Sequence, residues 1–279
     1  MTMTDVLTKF VLVLSLTLAA GCDTLLGWKD AAIRQTVSFI PRTVDRKMGE
    51  LASQQAEAGL SAVPPAAQDH LQAIVEPLAK GVSFEGLKPT FRVLSSDLPN
   101  AFAYPDGSIF FTSKLLEIAQ TPEEILSVAG HELAHVAQRH SMQQLVTRAT
   151  FTVVLNFVVG DVAGLADLLN TGSSLLNLKF SRDHEREADV MGDQFLEKSK
   201  LPRHGAELFF KRMKEFESKR SAGMETTKYL SFLTTHPATE ERMAWAATLP
   251  KGDNIKLPEE QKRAFENLKK LFSSRESKL

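Results

Sequence analysis

The chain has 279 residues, and its 33 lysines and arginines stand against 34 aspartates and glutamates, so the formal net charge is −1. This near-neutral balance gives no electrostatic basis for a nucleic-acid partner, and we expect none. Hydrophobic residues make up 43% and charged residues 24%, which is typical of a globular protein and excludes low-complexity and collagen-like classes. A single cysteine excludes a disulfide scaffold.

The N-terminus has the pattern of a secretory signal. Lys9 precedes an apolar run over residues 10–20, which is too short to span a hydrocarbon core of about 30 Å as a helix. The run ends in the letters LAAGC, and the last of these is Cys22, the only cysteine. This ending resembles a bacterial lipobox, in which cleavage before the cysteine leaves that residue to be lipidated. The alternative is an ordinary signal peptide with an incidental cysteine.

The lipobox resemblance implies a location for the mature chain. Residues 1–21 are predicted to be a lipoprotein signal peptide, and lipidated Cys22 would anchor the chain to a membrane of a bacterial envelope, facing the periplasm. More than one acyl chain on that cysteine is enough for stable attachment. In the lipoproteins that this sequence resembles, an acid directly after the cysteine, as Asp23 is here, implies retention in the inner membrane. The outer membrane stays an alternative.

The first half of the mature chain predicts helices followed by a short sheet. Residues 28–80 have apolar side chains at helical spacing, and Pro64-Pro65 divides them. We therefore expect an N-terminal helical segment over 22–65, a main domain over 66–250 and a charged helical tail over 251–279 that packs on the domain. Within the main domain, 91–94 is a β-like run. The runs 101–104 and 108–112 flank a Pro-Asp-Gly turn, which predicts a hairpin.

Two further helices have clear start signals. Thr121 is a predicted N-cap, with Pro122 in the first helical position and Glu124 completing a capping box; this helix should continue to about Gln144. Ser181 is the predicted N-cap of the second helix. The apolar stretch 150–178 between them contains two aspartates and three glycines, which favours a buried or membrane-grazing helix and loop over a transmembrane span.

The first of these helices contains the motif H-E-x-x-H, from His131 to His135. Residues four apart share a helix face, so the two imidazoles can bind one metal ion. Zinc suits such a site, because three protein ligands leave a fourth position for water. Glu132 would act as general base on that water and then as general acid on the leaving amine. The alternative is a chance occurrence in an unrelated helix.

The second helix begins with SRDHEREAD over residues 181–189. Glu185 and Asp189 are four apart, so one carboxylate can bind the zinc and the other can hold a histidine's second ring nitrogen. Together with H-E-x-x-H, the pattern S-R-x-x-E-x-x-A-D resembles the gluzincin metalloproteases of the HtpX, CAAX prenyl protease, Oma and BepA/LoiP group. That resemblance implies that Glu185 is the third ligand, that Asp189 supports a ligand, and that His140 and His184 have no role.

Two more stretches carry the same resemblance. Asn100, Ala101, Phe102 and Ala103, followed by the letters IFFT at 109–112, are similar to the hairpin that supplies the family's substrate-binding edge strand. The letters THP at 235–237 and the arginine at 242 are similar to a motif of the periplasmic members. This implies that His236 lies over the zinc, either as a fourth ligand in a resting state or as an oxyanion donor. Arg242 would hold the loop or the charge.

The resemblance implies a mainly α fold with a small β-sheet, an α+β zincin-like domain whose edge-strand hairpin lies beside the active-site helix. It also implies a zinc metalloendopeptidase with one Zn²⁺ per chain, acting on misfolded or stalled envelope proteins in protein quality control. A chaperone-like binding protein with a structural zinc or incidental proteolysis is the alternative from another class. A protease of prenylated peptides is a second alternative, against which the lipoprotein signal argues.

Overall fold

A computed structural model describes residues 25–58, 63–82, 87–148, 151–158, 180–221, 232–251 and 255–276. Cys22 and the predicted signal segment lie outside these residues, as does most of the apolar stretch 150–178. The described part is mainly helical with one three-stranded sheet, so the predicted α+β class is confirmed.

The described residues form twelve helices and three strands. The helices are α1 Leu25–Phe39, α2 Arg42–Ala58, α3 Pro65–Gly81, α4 Ser113–Ile118, α5 Pro122–Ala137, α6 His140–Arg148, α7 Phe151–Val158, α8 Arg182–Lys198, α9 Gly205–Ser221, α10 Phe232–Thr235, α11 Glu240–Thr248 and α12 Glu259–Glu276. The strands are β1 Thr90–Leu94, β2 Ala101–Ala103 and β3 Ser108–Thr112. None of the helices in the described ranges is long and apolar enough to cross a membrane.

The sheet contains the predicted hairpin and one pairing that the sequence did not predict. Strands β2 and β3 pair antiparallel, with Phe102 opposite Phe110. Gly107 lies in their turn with φ +92°, a conformation that glycine adopts without steric cost. Strand β1 pairs with β3 in parallel, and because alternation within a strand says nothing about its partner, the pattern of 91–94 could not show this. The order β1-β3-β2 places β1 and β2 at the edges.

The two edges of the sheet differ in their surroundings. Gln68 of α3 accepts a hydrogen bond from the Val93 N–H over 3.0 Å and donates one to the Phe91 carbonyl. An amide side chain thus substitutes for a neighbouring strand and satisfies part of the β1 edge. Strand β2, by contrast, lies against α5.

Helices α5 and α8 form the centre of the fold. Both begin at the predicted caps: the Thr121 hydroxyl accepts from the Glu124 N–H over 3.4 Å, and the Ser181 hydroxyl accepts from the His184 N–H over 3.1 Å. Helices α5 and α8 pack along each other where Gly130 of α5 meets Gly192 of α8. A Cβ added at Gly192 would lie 2.8 Å from the backbone of Gly130. This close approach brings the two predicted motifs together.

Two predicted helix boundaries were wrong. Helix α5 ends at Ala137 rather than near Gln144, because Arg139 adopts a positive φ of 56°. The Arg139 guanidinium binds the buried Asp45 of α2, with Nε 3.1 Å from Oδ1, so a tertiary ion pair stabilises a break that helical periodicity cannot reveal. The segment 28–80 also has one more break than expected, since Pro41 separates α1 from α2.

Three hydrophobic clusters lie within the described residues, and two of them contain most of the buried apolar side chains. The larger one joins the sheet, α3, α5 and the C-terminal helix α12, whose Phe265, Leu268 and Phe272 are buried in it, so the tail packs on the domain. The smaller core joins α1 and α2 to α6 and α7, with Met48 and Met142 fully buried. The N-terminal helices are therefore packed beside the end of α5 that carries the H-E-x-x-H motif.

Candidate metal centre

Four side chains from three parts of the chain converge on one point. His131 and His135 come from α5, Glu185 from α8, and His236 directly follows α10. One donor atom from each lies within 4.8 Å of the other three. Their exposed fractions are 6%, 1%, 2% and 1%, so the cluster is shielded from solvent.

Four of the six distances between these donors are close to those of a tetrahedral metal site. His131 Nε2 lies 3.0 Å from His135 Nε2 and 3.3 Å from His236 Nδ1. Glu185 Oε1 lies 3.0 Å from His236 Nδ1 and 3.5 Å from His135 Nε2. Ligands about 2.0–2.1 Å from a tetrahedral zinc would be about 3.4 Å from one another. Imidazole and carboxylate are also the donors that zinc takes, so the residues fit one zinc ion.

Glu132 lies next to this cluster without belonging to it. Its Oε1 is 3.6 Å from His236 Nε2, and it has no hydrogen-bond partner among the described residues. Burial raises the pKa of this carboxyl, although the nearby His236 and His131 oppose the shift. A carboxylate with a raised pKa is a better general base near neutral pH than an exposed one.

Asp189 holds the outer nitrogen of one histidine, in the place that the sequence predicted. Its Oδ1 lies 2.9 Å from His131 Nδ1. Burial opposes the charged form of His131, but its bonds to Asp189 and Glu185 outweigh that cost and raise the pKa of the metal-free imidazole to about 9. Burial also disfavours the Asp189 carboxylate, yet its bonds to Arg242 and His131 lower its pKa.

Arg242 connects the ligands to the loop that carries His236. Its Nε and Nη2 donate to the two Asp189 oxygens over 2.6 and 2.8 Å, and its Nη1 donates to the Pro237 carbonyl over 2.9 Å. The same Nη1 lies 2.6 Å from Glu185 Oε2, in an ion pair without hydrogen-bond alignment. Arg242 is only 6% exposed, and arginine side chains are rarely buried so deeply unless they are paired. Here the guanidinium holds two acids and one loop in place.

His236 is fixed in its position by its own surroundings. The His236 ring stacks on the Phe232 ring, with the centroids 4.6 Å apart. The backbone N–H of His236 donates to the Phe232 backbone carbonyl over 2.8 Å. The Nδ1 atom faces the cluster while Nε2 faces Glu132. The His236 ring therefore contacts the metal centre, as both roles that the resemblance implied, metal ligand and oxyanion donor, require.

The predicted edge strand lies beside the helix that carries the motif. Asn100 and Tyr104 bond to β3, through the Asn100 carbonyl at 2.9 Å from Thr112 N and the Tyr104 N–H at 2.8 Å from the Ser108 carbonyl. Because bonding alternates along an antiparallel pair, Ala101 and Ala103 direct their backbone groups away from β3. The predicted residues His131, Glu132, His135, Glu185, Asp189, His236 and Arg242 thus lie around one centre, with the predicted edge strand against α5; Cys22 is outside the described ranges.

Sequence reasoning missed three residues near the centre. His140, to which it gave no role, lies with Nδ1 2.9 Å from Nδ1 of the ligand candidate His135. Glu187 contacts His140, and Arg34 of α1 contacts Glu187. The only sequence feature that pointed to His140 was its place as a third histidine, five residues after His135. Its contact with His135 depends on the break between α5 and α6, which the sequence did not predict.

Comparison with known proteins agrees with this geometry. Residues 65–249 match the family model described as Peptidase family M48, and the chain therefore belongs to that family of zinc-dependent metalloproteases. The class of the protein is thus that of the M48 peptidases, whose members depend on zinc.

Similar proteins come from mitochondria and from bacteria. The chain is 29% identical to the mitochondrial metalloendopeptidase OMA1 of Saccharomyces cerevisiae over 184 residues, which are 64% of this chain and 52% of that protein. It is 32% identical to the putative beta-barrel assembly-enhancing protease of Vibrio cholerae over 165 residues, 55% of this chain and 33% of that protein. For the beta-barrel assembly-enhancing protease of Escherichia coli K12 the values are 29% over 169 residues, 55% and 33%. The match thus spans between a third and about half of these relatives.

Proposed function

We propose that this chain is a membrane-anchored zinc metalloendopeptidase that cleaves misfolded or stalled proteins of a bacterial envelope. The observation that carries the proposal is the buried cluster of His131, His135, Glu185 and His236, with the Glu132 carboxylate beside it and one of its oxygens without a hydrogen bond. The bacterial relatives named for β-barrel assembly support an envelope role. We propose quality control of misfolded or stalled proteins as the physiological task of this chain.

The chemistry divides between the metal and the side chains of this chain. His131, His135 and Glu185 would hold the zinc, which when bound polarises the scissile carbonyl and lowers the pKa of water. Glu132 would accept a proton from the water whose oxygen attacks the carbonyl carbon. It would then pass that proton to the amine nitrogen as the C–N bond breaks. Asp189 and Arg242 would keep His131 in the tautomer that presents Nε2 to the metal.

The substrate would bind as an added strand along β2. The backbone groups of Ala101 and Ala103 point away from β3; Ala101 is fully buried, so an extended peptide would pair first with the half-buried Ala103. Gln68 already bonds the opposite edge of the sheet, so β2 is the better candidate among the described strands. Because strand addition needs an extended segment, the enzyme should prefer unfolded chains.

One substrate protein in two states tests this function. The purified chain is expected to cleave a disulfide-containing protein after reduction and alkylation, and to leave the same protein intact in its native, oxidised form. Product masses would locate internal cuts. Equal cleavage of both forms, or no cleavage of either by the zinc-loaded chain, would contradict the proposal.

The chaperone-like alternative has one observation in its favour. Four protein donors close a zinc site in the way that structural sites are closed, and His236 supplies the fourth donor here. A structural site has no need of a buried acid such as Glu132 beside it, which favours the enzyme. We therefore take His236 to be a removable fourth ligand of a latent, resting enzyme.

Replacing His236 by Ala separates its two proposed roles. If the ring occupies the fourth position, the His236→Ala variant should show higher basal proteolysis than the wild type, with self-cleavage, because the position becomes free for water. We expect this result, since Nδ1 lies within the donor cluster. An oxyanion donor would give the opposite result, a fall in kcat on the order of 10²–10³-fold. Initial rates on an unfolded substrate decide between them.

The anchor has its own test. Metabolically supplied radiolabelled palmitate should be incorporated into the wild-type chain, and the label should be lost in the Cys22→Ser variant, which has no thiol to modify. That variant should be released from membranes or keep its signal peptide. An unlabelled wild-type chain in the soluble periplasmic fraction would refute the lipobox interpretation.

A further inference from the structure

A row of hydrogen bonds leads from the metal centre to helix α1. His135 Nδ1, the ring nitrogen that is not part of the donor cluster, lies 2.9 Å from His140 Nδ1. On the other side of that ring, His140 Nε2 lies 3.2 Å from Glu187 Oε2. Arg34 of α1 donates to both Glu187 oxygens, over 2.8 and 2.6 Å. The function proposed above uses none of these three residues.

Each bond in this row has a single possible direction once His135 binds a metal through Nε2. The metal occupies the Nε2 lone pair, so the neutral ring has its proton on Nδ1 and donates it to His140 Nδ1. His140 must then be the tautomer protonated at Nε2, and it donates to Glu187. Arg34 has only donors, which keeps the Glu187 carboxylate as the final acceptor.

Burial and stacking hold the middle of the row. The His140 side chain is fully buried, and its ring stacks on His184, with the centroids 4.3 Å apart and the planes at 20°. The His184 ring is fixed in turn, since its Nε2 lies 3.1 Å from Gln143 Oε1. Glu187 and Arg34, about one-third exposed, bring the row to the surface on α1.

The other ligand histidine has a support of the same kind. The outer nitrogen of His131 bonds to Asp189, whose two oxygens are both held by Arg242. In both cases a carboxylate held by an arginine ends the row. The carboxylate that bonds His131 directly is Asp189 of α8, and Arg242 of α11 holds it. The row from His135 instead passes through His140 to Glu187 of α8, which Arg34 of α1 holds.

We propose that His140, Glu187 and Arg34 are positioning residues of the zinc site, which fix the tautomer and orientation of His135. The proposal rests on the metal centre proposed above but not on its proteolytic activity. Outer partners of metal-bound histidines commonly contribute 10–100-fold to metal affinity, and we expect roughly that range here.

Zinc dissociation constants of the full chain, measured by competition with a chromophoric chelator, test the proposal. The His140→Phe and Glu187→Ala variants should bind zinc roughly 10–100-fold more weakly than the wild type. The Glu187→Gln variant should recover most of this loss, because its amide oxygen still accepts from His140. Arg34→Ala should have a smaller effect, since it leaves the Glu187 acceptor in place.

A matched control lies on α8, the helix that also contains Glu187. Asp193 of α8 is buried and pairs with Arg203, its Oδ1 lying 2.7 Å from Arg203 Nε, without contacting the donor cluster. The Asp193→Asn variant removes a buried ion pair from α8 and should leave zinc affinity unchanged. If it weakens zinc as much as Glu187→Ala does, a general loosening of α8 explains both, and the positioning role is wrong.

The tautomer of His140 gives a second, spectroscopic test. Long-range ¹H–¹⁵N correlation spectra of the zinc-loaded wild type should show His140 protonated at Nε2 only. A His140 protonated at Nδ1, or unchanged affinities in both His140→Phe and Glu187→Ala, would overturn the proposal. A wild type that binds zinc but cleaves no peptide would refute the proposed protease function alone, while a wild type that binds no zinc would refute both.

Discussion

The Glu132→Gln variant is expected to bind zinc as the wild type does and to lose peptide hydrolysis, with kcat lower by on the order of 10²–10⁴-fold, the usual contribution of a general acid–base residue. The Glu132 carboxylate lies beside the donor cluster and not in it. An amide has nearly the same shape but cannot take a proton from water. Zinc content and initial rates on an unfolded substrate, measured on one preparation, check both parts.

A neighbouring acid provides the control for this variant. Glu123 is in the first turn of α5, the same helix, and its replacement by Gln removes the same charge far from the donor cluster. The Glu123→Gln variant should keep both zinc and activity. Wild-type turnover in zinc-loaded Glu132→Gln would remove the general-base role.

The Glu185→Ala variant is expected to lose zinc altogether under conditions that saturate the wild type. Glu185 Oε1 is 3.0 Å from His236 Nδ1 and 3.5 Å from His135 Nε2, so its removal takes one corner from the tetrahedron. The Asp189→Ala variant should still bind zinc, but roughly 10–100-fold more weakly, because Asp189 acts through His131. Metal analysis after gel filtration distinguishes loss from weakening.

Glu187 is the control for the position of the third ligand. It lies two residues after Glu185 on α8 and contacts His140 instead of the donor cluster. The Glu187→Ala variant should therefore keep a zinc ion, held more weakly. If Glu187→Ala loses zinc and Glu185→Ala retains it, the ligand assignment on this helix is wrong by two residues.

Local signals explain what the sequence could predict. The caps at Thr121 and Ser181 and the turn at Gly107 depend on residues within a few positions of each other, and the structure confirms all three. The spacing of four residues in both motifs likewise fixes which side chains share a helix face. The pairs of side chains that face each other on α5 and α8 follow from these short-range rules, whereas the zincin-like fold class and the choice of Glu185 as third ligand were implied by the family resemblance.

Long-range contacts explain what it could not predict. The end of α5 depends on an ion pair between Arg139 and Asp45, which are 94 residues apart. The contact of His135 with His140 depends on that break, since His140 begins the next helix. The parallel pairing of β1 likewise needs the packing of α3 against the sheet. Helical and strand periodicity contain no information about any of these partners.

Reversible removal of zinc tests the central claim most directly. The full chain would be stripped of metal by a chelator, shown to be folded by circular dichroism, and titrated with zinc while cleavage of an unfolded polypeptide is followed. Hydrolysis is predicted to fall to the level of the Glu132→Gln variant in the stripped chain and to return in proportion to added zinc, up to one ion per chain. Hydrolysis that persists in the folded, zinc-free chain, or that does not return when the site is filled, would contradict the assignment.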